Sequence, residues 1–79
     1  MTVISPDRSL FDGDATSVVA PAYDGLVGIL PGHAPFLTVL GTGPLTIAQG
    51  SGSSRFTING GFLQVVGDTV RVVAEHADT

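Results

Sequence analysis

Seventy-nine residues make one domain, close to the size at which a single core needs help to offset chain entropy. The chain has no lysine and only three cationic side chains against seven acids, a net charge of −4, which argues against binding to nucleic acid or to anionic lipid surfaces. With no cysteine, disulfides and thiolate metal sites are excluded, and a charged fraction of only 13% leaves a neutral surface suited to a subunit held in contact with others.

Eleven glycines and five prolines punctuate the chain at short intervals, so the spacing predicts short strands joined by tight turns. In chain order the strands are expected at 2–5, 15–22, 26–29, 37–40, 44–49, 55–59, 62–66 and 69–74. Period-two alternation carries these assignments. Leu45-Thr46-Ile47-Ala48 alternates, Phe56 and Ile58 flank Thr57, and Val70, Val72 and Ala74 alternate with Arg71 and Val73. Gly67-Asp68 has the form of a two-residue hairpin connection, and Gly50-Ser51-Gly52-Ser53 separates two further strands. Gly60-Gly61 interrupts an apolar run and predicts a bulge or the close approach of another backbone. Pro21, Pro31, Pro35 and Pro44 are expected at strand ends or in turns, Asp12 and Asp14 in a solvated turn, and 75–79 as a frayed polar tail. The expected fold is all-β, a single flattened sandwich or barrel. No secretory leader is expected after Met1, and no apolar run approaches the roughly 20 residues of a spanning helix.

Catalytic and cofactor chemistry finds little support. A phosphate-binding loop ends in a lysine, which the chain lacks. Gly41-Thr42-Gly43 has the first half of a dinucleotide fingerprint, but Thr46 stands where the third glycine belongs and no helix follows. His33 and His76 are the only imidazoles, and the paired histidines of a metal-binding cupin barrel are missing. Ser17, His33 and Asp24 supply the letters of a nucleophilic triad without its elbow motif. Asp12 and Asp14 have a calcium-like spacing without the oxygen-rich loop that must follow. His33, between Gly32 and Ala34-Pro35, reads as a turn histidine, and Arg8, Arg55 and Arg71 are too scattered to form a basic patch. No catalytic residue, metal site, cofactor or small-molecule substrate is expected.

The stretch Asp24-Gly25-Leu26-Val27-Gly28-Ile29-Leu30-Pro31-Gly32-His33-Ala34-Pro35-Phe36-Leu37 is more specific than any of these. It resembles the D/E-G-E-x-G-I-x-P-G-H-A-P-L-L signature of the ε subunit of F-type ATP synthases, called δ in mitochondria. Collinear matches extend from residue 3 to 77. They include Val3-Ile4-Ser5-Pro6, Leu10-Phe11-Asp12-Gly13, Gly43-Pro44-Leu45-Thr46-Ile47, Gly60-Gly61-Phe62-Leu63-Gln64-Val65 and Val70-Arg71-Val72-Val73-Ala74-Glu75-His76-Ala77.

This resemblance implies a β-sandwich of about ten strands over residues 1–79 and a non-catalytic rotor part at the cytoplasmic face of the bacterial plasma membrane. Such a part couples rotation of the c-ring, driven by proton flow, to the γ subunit and ATP synthesis. The partners implied are γ and the c-ring, with no nucleic acid and no membrane insertion. Asp24, Gly25, Leu26, Val27 and Gly28 would face the ring with Gly41, Thr42, Gly43 and Pro44 nearby. Ser5 and His33 would lie on the γ side, and Pro31, Gly32, His33, Ala34 and Pro35 would form a stiff signature loop. Leu26 departs from the family, which has an acid there, and the pair of C-terminal helices usual in the family is expected to be absent. The rival from another class is a free-standing β-sandwich adaptor that binds a peptide along a strand edge; the collinear motifs favour the stalk subunit.

Overall fold

Most strands form where the alternation predicts them. The computed structural model describes residues 1–5, 11–32 and 34–78. These residues form eight strands: β1 (Thr2–Ile4), β2 (Asp12–Asp14), β3 (Ser17–Ala22), β4 (Gly25–Ile29), β5 (Phe36–Val39), β6 (Thr42–Gln49), β7 (Gly52–Val66) and β8 (Thr69–Asp78). Arg8, Pro6 and Leu10, named above, lie outside the described residues, as does His33.

Antiparallel pairing dominates, in the order β2-β1-β8-β7-β6-β3-β4, with β5 also paired to β7; β1 lies parallel to β8. β5 and β6 use the same edge of β7 one after the other. Phe36 to Val39 pair with Val65 to Phe62, and Thr42 to Gln49 pair with Asn59 to Gly52, in one unbroken register. Between them Leu40 N donates to Gly61 O and Gly60 N donates to Gly41 O. The hairpin is therefore continuous, and it bends at Gly41 and Gly60-Gly61.

That bend makes the sandwich. Along β7 the buried residues are Phe56 and Ile58, then Leu63 and Val65, so the inward parity changes across the glycine pair while the register to β8 does not slip. Gly60 and Gly61 both take positive φ, 79° and 118°, which L side chains rarely adopt. A Cβ on Gly61 would run into the Val73 carbonyl oxygen and lie 2.8 Å from Ala74 Cα. Close backbone approach, one of the two expected reasons for the glycines, is what the structure contains. No residue is inserted in the β7–β8 ladder, so the pair does not form a bulge there. β8 changes parity beside it: Val70, Val72 and Ala74 are buried, and beyond them Ala77 packs against the core. One layer thus comprises β2, β1, the first half of β8, the second half of β7, and β5. The other comprises the end of β8, the first half of β7, β6, β3 and β4. With β7 and β8 each serving both layers, eight strands supply the ten segments of the sandwich.

One core fills the interlayer space. Ile29, Leu45, Ile47, Ile58 and Leu63 are fully buried with Val3, Val18, Val70 and Val72. Each such side chain contributes about 1.5–3 kcal/mol relative to exposure.

Four expectations about strands and their boundaries are corrected. Residues 55–59 and 62–66 belong to one strand, because the glycines bend the backbone without breaking the ladder. Asp12 and Asp14 stand on edge strand β2, where Thr2 Oγ1 donates to Asp14 Oδ1 at 3.2 Å. Residues 75–78 continue β8 because Asn59, Ile58 and Thr57 offer them a ladder. Pro21 and Pro44 sit within strands rather than at their ends. The β3–β6 ladder spans only Ser17–Val19 against Ala48–Thr46, stopping short of both prolines, and the freed Pro21 carbonyl accepts Gly41 N–H at 2.8 Å.

Gly61→Ala is expected to cost about 3 kcal/mol or more, because strain at positive φ adds to a backbone collision. Gly50→Ala, in open space at the β6–β7 turn, should stay within about 0.5 kcal/mol. Urea unfolding of the two variants measures the contrast; equal stabilities would show that the corner tolerates a side chain.

Candidate functional site: an apolar face and tip

No pocket opens among the described residues, so the distinctive surface is convex. Its character follows from side-chain alternation on the outer side of the first layer. Val39 on β5, Phe62 on β7 and Val73 on β8 stand in one cross-strand row, and Leu37, Gln64, Arg71 and Ile4 stand in the next. Leu37 is 64% exposed, Val39 59%, Phe62 42% and Val66 53%. Val39 and Phe62 are direct cross-strand partners, about 5 Å apart, and Leu37 and Val66 are grouped with them on the same face as along-strand and diagonal neighbours about 7–8 Å apart around Gln64.

The second part is the tip formed by β3, β4 and the turn between them. Tyr23 and Leu26 are exposed there, beside Asp24, while Leu30 stands just past the far end of β4, exposed on the outer side of the second layer with Val19. Tyr23 N–H donates to Val39 O at 3.0 Å, which fixes the turn to β5 and makes the tip continuous with the apolar face. Every large exposed hydrophobic side chain among the described residues lies on β3, β4, β5, β7 or the segments joining them. Asp12, Asp14 and Arg71 stand on the same outer face, on its β2, β1 and β8 side, while Asp68 lies in the β7–β8 turn and Glu75 and Asp78 on the end of β8.

The residues expected to face the ring are brought together. Asp24 to Gly28 form the turn and β4, and Gly41 to Pro44 form the β5–β6 junction and the start of β6. β3 joins the two groups: Pro21 pairs with Leu26 on one side, while on the other its carbonyl holds Gly41 N–H and its Cβ would lie 3.1 Å from a Cβ on Gly43. The described part of the signature loop, Pro31, Gly32, Ala34 and Pro35, is exposed and connects β4 to β5, with Gly32 at φ 83°. Ser5 follows β1, separated from that loop by β8, β7 and β5, so the two lie at opposite margins of the apolar face. Ser5 is 6% exposed, with its hydroxyl buried and without a hydrogen-bond partner among the described residues, so Ile4 presents the outward side chain at that margin.

Leu37, Val39, Phe62 and Val66 escaped the sequence reading as surface residues. A signal was present: Phe62-Leu63-Gln64-Val65-Val66 is apolar on both parities, where a half-solvated strand alternates with polar residues.

A small β-sandwich with apolar side chains exposed together on β5 and β7 has the surface of a docking module. The comparisons say of what kind. All of residues 1–79 match the family described as the β-sandwich domain of the ATP synthase delta/epsilon chain. The ATP synthase epsilon chain of Solibacter usitatus is 44% identical over 78 residues, covering 99% of this chain and 58% of that relative. The epsilon chain of Leptospira borgpetersenii is 40% identical, covering 96% and 60%, and that of Caulobacter vibrioides is 40% identical, covering 96% and 88%. The chain therefore spans less than two thirds of the first two relatives. A chain of the Euglena gracilis mitochondrial ATP synthase, in an assembly of OSCP, F1 and c-ring, shares the fold at a TM-score of 0.83 and 23% identity, covering 96% of this chain and 49% of that one. A chain of the central stalk and c-ring of Tetrahymena thermophila ATP synthase does so at 0.77 and 22%, covering 96% and 62%. The chain belongs to the ATP synthase delta/epsilon family and comprises its β-sandwich domain.

Leu37→Glu and Leu26→Glu are each expected to change stability by no more than about 0.5 kcal/mol, because both side chains point into solvent. Leu63→Ala, in the core, should lose about 2–5 kcal/mol. Chemical denaturation of the three variants checks this; a core-sized loss at Leu37 would mean that its face is already packed within the chain.

Proposed function

We propose that this chain is a rotor-stalk module of an F-type ATP synthase, docking on the γ subunit through the outer face of β5, β7 and β8 and on the c-ring through the tip. The observation that carries the reading is the group of exposed apolar side chains, Leu37, Val39, Phe62 and Val66, on the outer face of β5 and β7. A partner that covers Leu37, Val39, Phe62 and Val66 removes them from water, which favours association. Ser5 and the loop from Pro31 to Pro35 flank this face, in keeping with a γ-facing role for that side. Asp24 to Gly28 and Gly41 to Pro44 supply the ring contact, in which Leu26 replaces an acid with an apolar contact.

Rotation of the ring, driven by proton flow, reaches γ through this module and thence ATP synthesis. The sandwich suits the task mechanically, since a close-packed core deforms little under load. The module works at the cytoplasmic face of the bacterial plasma membrane and is held there by its partners. Among the described residues no helix is long and apolar enough to cross a membrane. The matches to ATP synthase epsilon chains of bacteria, and the fold shared with chains of central-stalk and c-ring assemblies, support the assignment.

Detergent-solubilised ATP synthase from the source cell is expected to contain this chain at one copy per γ subunit. Quantitative mass spectrometry of the purified complex measures the ratio. A complex that is active and coupled yet devoid of the chain would overturn the proposal.

A further inference from the structure

We infer that the free edge of β4 is a strand-pairing site by which two copies of this chain join while they are outside a larger assembly. β4 is the last strand of its layer, and among the described residues it pairs only with β3. An outermost strand presents unpaired N–H and C=O groups, and proteins commonly guard such edges with charge or proline. Other edges of this chain are guarded. β2 carries Asp12 and Asp14, the end of β8 carries Glu75 and Asp78, and the corner half of β5 is covered by the Tyr23–Val39 hydrogen bond and the Ala22–Leu40 bridge. From Gly25 to Gly32 there is no charged residue, and Pro31 comes only after the strand has ended.

The edge is also self-complementary, which identifies its occupant as a second copy. In an antiparallel pair centred on Gly28, Leu26 meets Leu30 of the other copy, Leu30 meets its Leu26, and glycine meets glycine. Leu26 and Leu30 are 65% and 64% exposed and lie on the same side of the strand as Gly28. The nearest charge, Asp24, falls opposite Gly32 and not opposite another acid. The missing N–H of Pro31 ends the ladder after Leu30, so the pair is short and closes as a two-fold dimer without growing into a filament. So few residues bury far less than the roughly 1,200 Å² of a stable interface, so the dimer is weak and reversible. The pairing goes beyond the rotor reading: it uses the segment assigned there to the ring, so the paired and docked states exclude each other.

Sedimentation velocity of the purified chain between about 1 μM and 1 mM tests this without γ or ring, so its outcome is independent of the stalk assignment. The wild-type chain should dimerise reversibly in that range, with little dependence on salt because the contacts are uncharged. Gly28 has no other atom within 4 Å of a Cβ and no positive φ, so Gly28→Glu and Gly28→Lys should both fold, as circular dichroism will report. Each alone places like charges directly opposite one another and should weaken dimerisation on the order of tenfold or more. An equimolar mixture of the two should restore it. A wild-type chain that stays monomeric throughout would overturn the proposal, as would a Gly28→Glu dimer of unchanged affinity or a mixture no tighter than its components.

Discussion

The sandwich depends on a single close approach: at Gly61 the β7 backbone passes so near the carbonyl of Val73 that no side chain fits between them. Two successive residues at positive φ turn β7 there, and the hydrogen bonds from Leu40 to Gly61 and from Gly60 to Gly41 carry the hairpin through the turn. Because the ladder to β8 keeps its register, neighbouring strands bend together and the sheet folds onto itself. Without that corner, a flat continuation of β7 would send Phe62 and Gln64 to the inside and Leu63 and Val65 to the outside. The core and the docking face are thus two results of one bend.

The bend also explains which parts of the fold could be read from the amino-acid order. Leu45, Ile47, Phe56, Ile58, Val70 and Val72 announce themselves by alternation within short windows, and the Gly67-Asp68 hairpin by its turn chemistry. Gly60-Gly61 was legible as an interruption, but whether a glycine pair ends a strand or bends it depends on the neighbouring strand, which no local pattern reports. β2 was missed because Asp-Gly-Asp has low strand propensity and is held in place by pairing with Thr2, Val3 and Ile4. Residues 75–78 looked like a frayed tail for the same reason, since their order comes from Asn59, Ile58 and Thr57 across the ladder.

The candidate site was legible unevenly. Collinear motifs led to the segments around Asp24–Gly28 and Gly41–Pro44, and the fold brings them together about Pro21. The apolar face was not foreseen, because Leu37, Val39, Phe62 and Val66 look like core residues until the register shows them pointing outward. Ser5 illustrates the converse: a polar residue named for a contact surface whose hydroxyl is turned inward. In physical terms the face offers a partner an apolar area to cover, which is what the proposed γ contact requires, while Pro21, Pro44 and the hydrogen bond from Gly41 to Pro21 stiffen the tip.

The absence of cysteine permits a direct test of the face as the γ contact. Single variants Leu37→Cys and Arg55→Cys can be labelled with a maleimide, first in the free chain and then in its complex with γ. The account predicts that labelling of Leu37→Cys slows sharply on binding while Arg55→Cys, exposed on the outer face of the other layer, reacts at its original rate. Leu37→Cys labelling equally fast in the free and bound chain would contradict it.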